Sequence, residues 1–182
     1  MRFIDLRKDP WHALGGEGGP PVSINAQPHL LLDLVQWHAV RAHWPRGMPV
    51  GLAASNDQDV EDIAPDLGAF SLVTLEFPKW VDGRAYSQAR LLRARYRFQG
   101  EIRATGEVLV DMIELLARTG FNAAVLRTDQ SIDAAQRALC FFRRHYQGDV
   151  RDKKPLFALP PGVADALARE PARKFVNEGA AL

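Results

Sequence analysis

The chain has 182 residues, of which 47% are hydrophobic and 25% are charged, as in an ordinary soluble globular domain. Its 23 Lys and Arg balance 22 Asp and Glu, so the overall charge indicates no polyanionic partner. The single cysteine, Cys140, excludes an internal disulfide, a four-thiolate iron–sulfur cluster and a zinc site built from cysteines. Together with the absence of an apolar run long enough for a membrane span or a signal peptide, it predicts a cytoplasmic protein with no membrane partner.

The first 28 residues are weakly patterned. Short strands are predicted at residues 3–6 and 22–25, with a glycine-rich turn at 15–21 between them. Apolar residues at helical spacing then predict a helix over residues 29–43, which the Pro-Arg-Gly sequence at 45–47 ends.

A regular alternation of strands and helices comes next. Strands are predicted at residues 50–54, 70–77, 100–104 and 122–127, and helices at 59–67, 87–98, 107–119 and 131–146. Ser87 and Ser131 are the predicted helix caps, and Gly120 the predicted helix stop.

Four successive βα units predict an α/β fold with a parallel sheet. Two topologies are open: an open doubly wound sheet, and a half-barrel of four units that resembles part of a TIM barrel. We expect one α/β domain at residues 1–150, with an irregular N-terminal region, and a C-terminal extension at residues 151–182.

Charges are unevenly distributed along the chain. Residues 55–76 carry six acids and no Lys or Arg, whereas residues 79–103 carry seven bases against Asp82 and Glu101. The acidic stretch is typical of a solvated helix face and its caps. The basic stretch is less easily explained in this way, because part of it lies in a predicted loop, where ligands often bind.

The connection at residues 78–87 combines two cations, a carboxylate and two aromatic rings. It lies after the carboxyl end of a parallel strand, where ligands of such sheets usually bind, and it leads into a helix whose first N–H groups are free. We therefore predict a site for a small anion such as sulfite, sulfate, phosphate or a carboxylate. The predicted ligands are Lys79, Arg84, Tyr86, Ser87 and, at the end of the neighbouring strand, Arg103.

The same loop also has a purely structural interpretation. Asp82 and Gly83 form an ordinary turn dipeptide, and Arg84 can pair with Asp82 or Glu101. A protein-docking surface is a third interpretation, and the residues leave all three open.

Arginines recur along the helix after the loop. Arg90, Arg93 and Arg97 are spaced at i, i+3 and i+7, which predicts a row on one helix face. Such a row is usually a solvated surface; the alternatives are contact with a protein partner or with nucleic acid. The balanced charge and the absence of a recognition motif make nucleic acid the less favoured partner.

No motif predicts a metal or redox centre. His38 and His43 are five residues apart on a predicted helix and do not form a close ligand pair. No signature for a flavin, nicotinamide, iron–sulfur or haem cofactor occurs, so we expect no metal and no cofactor.

Three segments together resemble a known bacterial family. They are FPKWVDGRAYSQARLLR at residues 77–93, GEIRATGEVLVD at 100–111 and GFNAAVLR at 120–127. The family is known as domain of unknown function nine-three-four, and its members are often labelled probable oxidoreductases involved in sulfite reduction. The chain departs from the family pattern at Trp80, a conservative aromatic change, and at Met112, where a glutamine is usual.

This resemblance implies a role in assimilatory sulfite reduction. Because the cofactor signatures that electron transfer requires are absent, we expect an accessory protein that binds a small anion, docks onto the sulfite reductase haemoprotein or its electron donor, or does both. The expected docking surface is the row of Arg90, Arg93 and Arg97. The alternative is an enzyme for a small anionic substrate, with Asp82 or Glu101 as the general base.

Overall fold

The computed structural model describes residues 1–14, 24–141, 145–150, 152–160, 162–163 and 166. Within these residues, seven parallel strands form one sheet: β1 (Arg2–Phe3), β2 (His12–Ala13), β3 (Leu30–Leu32), β4 (Val50–Ala54), β5 (Phe70–Phe77), β6 (Glu101–Gly106) and β7 (Ala123–Ala124). The α/β class predicted from the sequence is confirmed.

The strand order distinguishes between the two predicted topologies. The order is β1-β7-β6-β5-β4-β3-β2, so neighbours from β2 to β7 are in chain order and the winding never reverses as it does in a doubly wound sheet. β1 adds at the far edge, beside β7. This is the order of a barrel that is open between β1 and β2, and the sheet forms a half-barrel.

Helices cover the outer face of the half-barrel. They are α1 (Leu34–Val40), α2 (Val60–Ile63), α3 (Arg84–Ala94), α4 (Ile113–Thr119) and α5 (Ile132–Phe141), with 3-10 turns at Arg41–His43, Ala64–Ala69, Val110–Met112 and Leu156–Ala158. From α2 to α5 each helix packs on the next. The main core lies between this layer and the sheet, where Leu52, Leu75 and Ile102 are fully buried.

The inner face of the sheet is covered by the N-terminal segment. Thr74 on β5 lies opposite Arg103 on β6, and both side chains are buried on this face. A Cβ atom on Gly51 would lie 2.9 Å from the ring of Trp11, so the Trp11 ring packs directly on the backbone of β4. The segment between β1 and β2 therefore supplies the second layer that a half-barrel needs on its concave side.

The sequence located the two central strands well and the N-terminal elements poorly. The predicted strands at residues 50–54 and 70–77 are β4 and β5. The prediction of a helix from residue 29 is wrong at its start, because Leu30–Leu32 is a buried strand between β2 and β4. Three consecutive leucines suit either element, and Asp33, which caps α1 through the backbone N–H of Gln36, marks the true helix start.

Helix ends also differ from prediction at α3. Ser87 does not cap this helix, because α3 begins at Arg84 and Ser87 already lies within it. The helix ends at Ala94 and not near Phe98, because the backbone N–H groups of Tyr96 and Phe98 return to the carbonyls of Leu91 and Leu92. The predicted stop at Gly120 is confirmed by its φ of 118°, and Ser131 accepts the N–H of Ala134 at the start of α5.

Several predicted features lie partly or wholly outside the described residues. The glycine-rich turn at 15–21 lies outside them, and so does the first half of the strand predicted at 22–25, whose remaining residues form no strand. α5 is described to Phe141, and His145 and Tyr146 are not helical. The division into a domain at 1–150 and an extension at 151–182 stays a prediction. No described helix is long and apolar enough to cross a membrane.

Candidate functional site

The loop between β5 and α3 projects from the carboxyl end of the sheet. A turn closes it through the N–H of Asp82, which donates to the carbonyl of Lys79 at 3.0 Å. The turn presents Lys79, Trp80 and Val81 to solvent, with Trp80 57% and Val81 65% exposed. Single exposed apolar side chains are ordinary on a protein surface, but here two large ones are adjacent at the tip of one loop.

Asp82 ties this loop to the loop after β4. Its carboxylate accepts hydrogen bonds from Nε and Nη2 of Arg84 at 3.1 and 2.7 Å, and from Nδ2 of Asn56 at 2.6 Å. The hydrogen bond from Arg84 is the main cause that lowers the pKa of Asp82 to about 2. Asp82 is therefore a carboxylate at neutral pH, and its neighbours hold it in place.

The predicted anion ligands are placed very differently from one another. Lys79 and Arg84 share the loop, but the charge of Arg84 is balanced by Asp82, and Ser87 is exposed on α3. The ring of Tyr86 packs edge-on against Phe77 with centroids 5.0 Å apart, and burial raises the pKa of its hydroxyl to about 12. Of the five predicted ligands, only Lys79 presents a charge at the loop that no carboxylate in its own loop offsets.

Arg103 belongs to a different constellation, on the inner face of the sheet. Its Nε group donates to Glu101 at 2.8 Å, and both of its Nη groups bind Asp9. Glu101 is also paired with Arg2 at the sheet edge. The side chains of Arg103, Asp9 and Glu101 are only 4%, 6% and 11% exposed, so this is a buried ion cluster.

The two carboxylates proposed as alternative general bases do not share a site. Glu101 begins β6, whereas Asp82 lies beyond the end of the neighbouring β5. The rise of a parallel strand separates the ends of the six-residue strand β6 by about 16 Å. The expected association of Arg103 with Lys79 and Arg84 is likewise not found, because Arg103 lies in the middle of β6 and turns to Asp9.

The arginine row on α3 is not one surface. Arg93 donates from Nε to the carbonyl of Gly120 and from Nη1 to that of Gly100, both at 2.9 Å, and also to the carbonyl of Phe98. These hydrogen bonds connect the end of α4 with the residue before β6. The prediction that Arg93 belongs to a partner-binding face is corrected accordingly. Arg97 lies beyond the helix end with a φ of 53°, so Arg90 is the one member exposed on α3 itself.

Sequence reasoning missed Asp9 and the ion pairs at the ends of β6 and β7. Asp9 lies 94 residues from Arg103 in a region without periodic pattern. A signal was present, since Glu101 and Arg103 alternate on a buried strand and so face the same side, where their charges require partners. Arg127 binds Glu107 and Asp129, each at 2.7 Å, and this lowers the pKa of Asp129 to about 2.

No group of three or more His, Cys, Asp or Glu suited to a metal ion occurs among the described residues. Two cavities, of about 480 and 690 Å³, are lined by residues outside the loop between β5 and α3. The chemistry available at this loop is therefore that of an exposed, ion-paired and partly apolar surface.

These features define a parallel α/β half-barrel protein with ion-paired loops at the carboxyl end of its sheet. Residues 51–157 match the model of a family described as bacterial protein of unknown function (DUF934). The match covers more than half of the 182 residues, and the chain belongs to this family, as the sequence motifs predict. No curated protein matches the chain.

Proposed function

We propose that this chain is a cytoplasmic accessory protein of assimilatory sulfite reduction, which acts by docking onto the sulfite reductase haemoprotein or its electron donor. The observation that carries the docking role is the exposed tip of the loop after β5, where Trp80 and Val81 lie beside Lys79. The link to sulfite reduction rests on the resemblance of residues 77–127 to proteins labelled in that way.

The composition of the tip suits a protein contact. Tryptophan is enriched among the residues that dominate binding energy, and a neighbouring aliphatic side chain adds apolar area. Leu91, which is 39% exposed, is a further apolar side chain on the solvent side of α3, the helix that the loop enters. It lies two turns after Arg84 on the same helix face, about 10 Å away by the helical rise.

The charge of this surface favours an acidic partner. Lys79 and Arg90 are exposed on the loop and on α3, and Asp82 is already neutralised by Arg84. Cations around an apolar contact raise the association rate with an acidic surface more than they raise its affinity. A small anion at Lys79 and Arg84 is the second part of the proposal; it has to compete with Asp82 for Arg84, so we expect millimolar binding.

The docking role is tested with the purified full chain and the purified haemoprotein. We expect Trp80→Ser to raise the Kd by about thirtyfold, the loss typical of a dominant interface residue. The double charge reversal Lys79→Glu and Arg90→Glu should slow association, with an effect that shrinks at high salt. Each of the two single reversals is compared with Arg137→Glu, an equal change of charge on the exposed side of α5. Unchanged binding of the Trp80→Ser variant contradicts the docking surface.

The cellular role is tested by deletion and growth on sulfate as the sulfur source. A defect that sulfide or cysteine rescues, and sulfite does not, places the protein at sulfite reduction. Normal growth with unchanged sulfite reductase activity in extracts contradicts the proposal.

A further inference from the structure

The docking tip formed by Lys79, Trp80 and Val81 is too small to be a whole protein interface. Each partner in an interface of standard size contributes about 20–30 residues, and such a surface is roughly 30 Å across. A partner that docks on this tip therefore also covers other exposed groups at the carboxyl end of the sheet.

A second turn projects from the same end of the sheet, between β1 and β2. The N–H of Ile4 donates to the carbonyl of Ala124, the last residue of β7, at 2.9 Å, so the chain leaves the sheet at its carboxyl end. The N–H of Lys8 then donates to the carbonyl of Asp5 at 3.0 Å and closes a turn. The residue after this turn binds Arg103 in the middle of β6, so the chain returns toward the sheet. We call residues 5–8 the N-terminal turn.

The N-terminal turn has the same kind of exposed side chains as the docking tip. Leu6 is 66% exposed, about as much as Val81 at 65%. Arg7 and Lys8 follow it, are exposed, and form no ion pair with a described residue. The carboxylate of Asp5 accepts the backbone N–H of Arg7 at 3.0 Å. Each of the two turns therefore presents an apolar side chain next to a cation.

The cations distinguish these two turns from other exposed apolar residues at this end of the sheet. Val35, in the first turn of α1, is 68% exposed, and Ile132, at the start of α5, is 47% exposed. Val35 follows the capping carboxylate of Asp33, and Ile132 precedes the exposed Asp133. An acidic partner is attracted by the two turns and repelled by these acidic neighbours.

The two turns lie close enough together for one partner to cover both. β7 and β6 separate β1 from β5, so the strand ends are about 14 Å apart along the sheet, and its curvature brings them nearer. Glu76 is exposed near the end of β5, and the charge of Arg127 is offset by Glu107 and Asp129. The unpaired positive charge is therefore concentrated on the turns and not between them.

We propose that the N-terminal turn and the docking tip form one two-part surface for a single acidic protein partner. This inference rests on the proposed function and adds a second contact with the same partner. Leu6 supplies apolar area at the second contact, and Arg7 and Lys8 increase the rate of association with the acidic surface.

The apolar contact is tested by surface plasmon resonance with the full chain and the purified haemoprotein, and in parallel with its electron donor. We expect Leu6→Ser to raise the Kd by about tenfold, mainly through faster dissociation. The matched control is Val35→Ser, a residue of nearly equal exposure at the same end of the sheet, which should leave the Kd unchanged.

The charged contact is tested in the same assay with the double reversal Arg7→Glu/Lys8→Glu. It should slow association by about tenfold at low salt and by less at high salt. The control is Lys153→Glu/Lys154→Glu, an equal change on two adjacent exposed lysines of a segment that is hydrogen-bonded to the end of α4. All of these variants should keep the urea midpoint of the wild type.

The outcomes separate this inference from the proposed function. Weaker binding by Trp80→Ser alone, with Leu6→Ser and the double reversal unchanged, overturns the second contact and leaves the docking role intact. An equal loss with Val35→Ser, or a loss that accompanies a lower urea midpoint, also overturns it, because the effect then does not depend on an exposed contact beside cations. If neither protein binds the wild-type chain, the proposed function fails and this inference fails with it.

Discussion

Removal of the Arg103 side-chain charge tests whether the inner-face cluster is structural. In the variant Arg103→Met, the apolar stem keeps its packing, but Asp9 loses both of its donors and Glu101 loses one. Those two carboxylates are 6% and 11% exposed and border the cavity of about 480 Å³, so solvent replaces only part of the lost interaction. Breaking a buried ion pair from one side costs about 3–5 kcal/mol.

This loss is large against the stability of an ordinary domain, which is about 5–15 kcal/mol. With a urea m-value of about 2 kcal/mol/M, a loss of about 4 kcal/mol lowers the urea midpoint by roughly 2 M. The assay is equilibrium unfolding monitored by far-UV circular dichroism and by tryptophan fluorescence.

The variant Asp9→Asn/Arg103→Met provides an internal check. It removes the charge of Asp9, which has lost its partner Arg103, while Glu101 keeps its pair with Arg2. The free energy of unfolding should therefore be higher by at least about 1 kcal/mol than in Arg103→Met alone. Arg90→Met, on the exposed side of α3, should change stability by less than about 0.5 kcal/mol. A loss below about 1 kcal/mol for Arg103→Met would refute the buried cluster and return Arg103 to the candidates for anion binding.

Asp82 and Arg93 each have contacts that allow a further test. Since the pKa of Asp82 lies at about 2 in the folded chain against 3.8 ordinarily, its stabilising contribution is complete above about pH 3.8 and is lost as the pH falls through about 2. Arg84→Gln should move the pKa of Asp82 back toward 3.8, as measured by NMR titration of its carboxyl carbon, and an unmoved pKa contradicts the pairing. Arg93→Ala should destabilise the protein by about 2–3 kcal/mol in urea unfolding, because the carbonyls of Gly120, Gly100 and Phe98 lose their donor. A change as small as that of Arg90→Ala would show instead that Arg93 is a surface residue.

The part of the fold that could be predicted is the part with local patterns. β4 is a continuous apolar run, β5 is rich in apolar and β-favouring residues, and Gly120 ends a helix in the left-handed conformation that glycine favours. β1 and β2 have two residues each and carry almost no pattern, so their places in the sheet depend on pairing with distant strands. Local propensity does not contain that information.

The candidate site shows the same division. The loop after β5 was found because its residues are contiguous in the sequence and differ in composition from their surroundings. The roles of Arg93 and Arg103 were not found, since each is decided by backbone or carboxylate partners that only the tertiary fold brings near. From helical spacing alone, Arg93 is indistinguishable from a surface arginine, because the carbonyls of Gly120 and Gly100 that bind it lie far away in the sequence or beyond the helix.

The inner-face cluster also bears on how the family region relates to the folding unit. The family match begins at Gly51, within β4, and includes Glu101 and Arg103. The carboxylate that neutralises Arg103 comes from Asp9, and the ring that seals β4 comes from Trp11, both upstream of the match. The matched region therefore contains only part of the sheet and of its buried ion cluster. Any relative that keeps a buried arginine at this point in the sheet needs an acid delivered by a segment that the shared motifs do not describe.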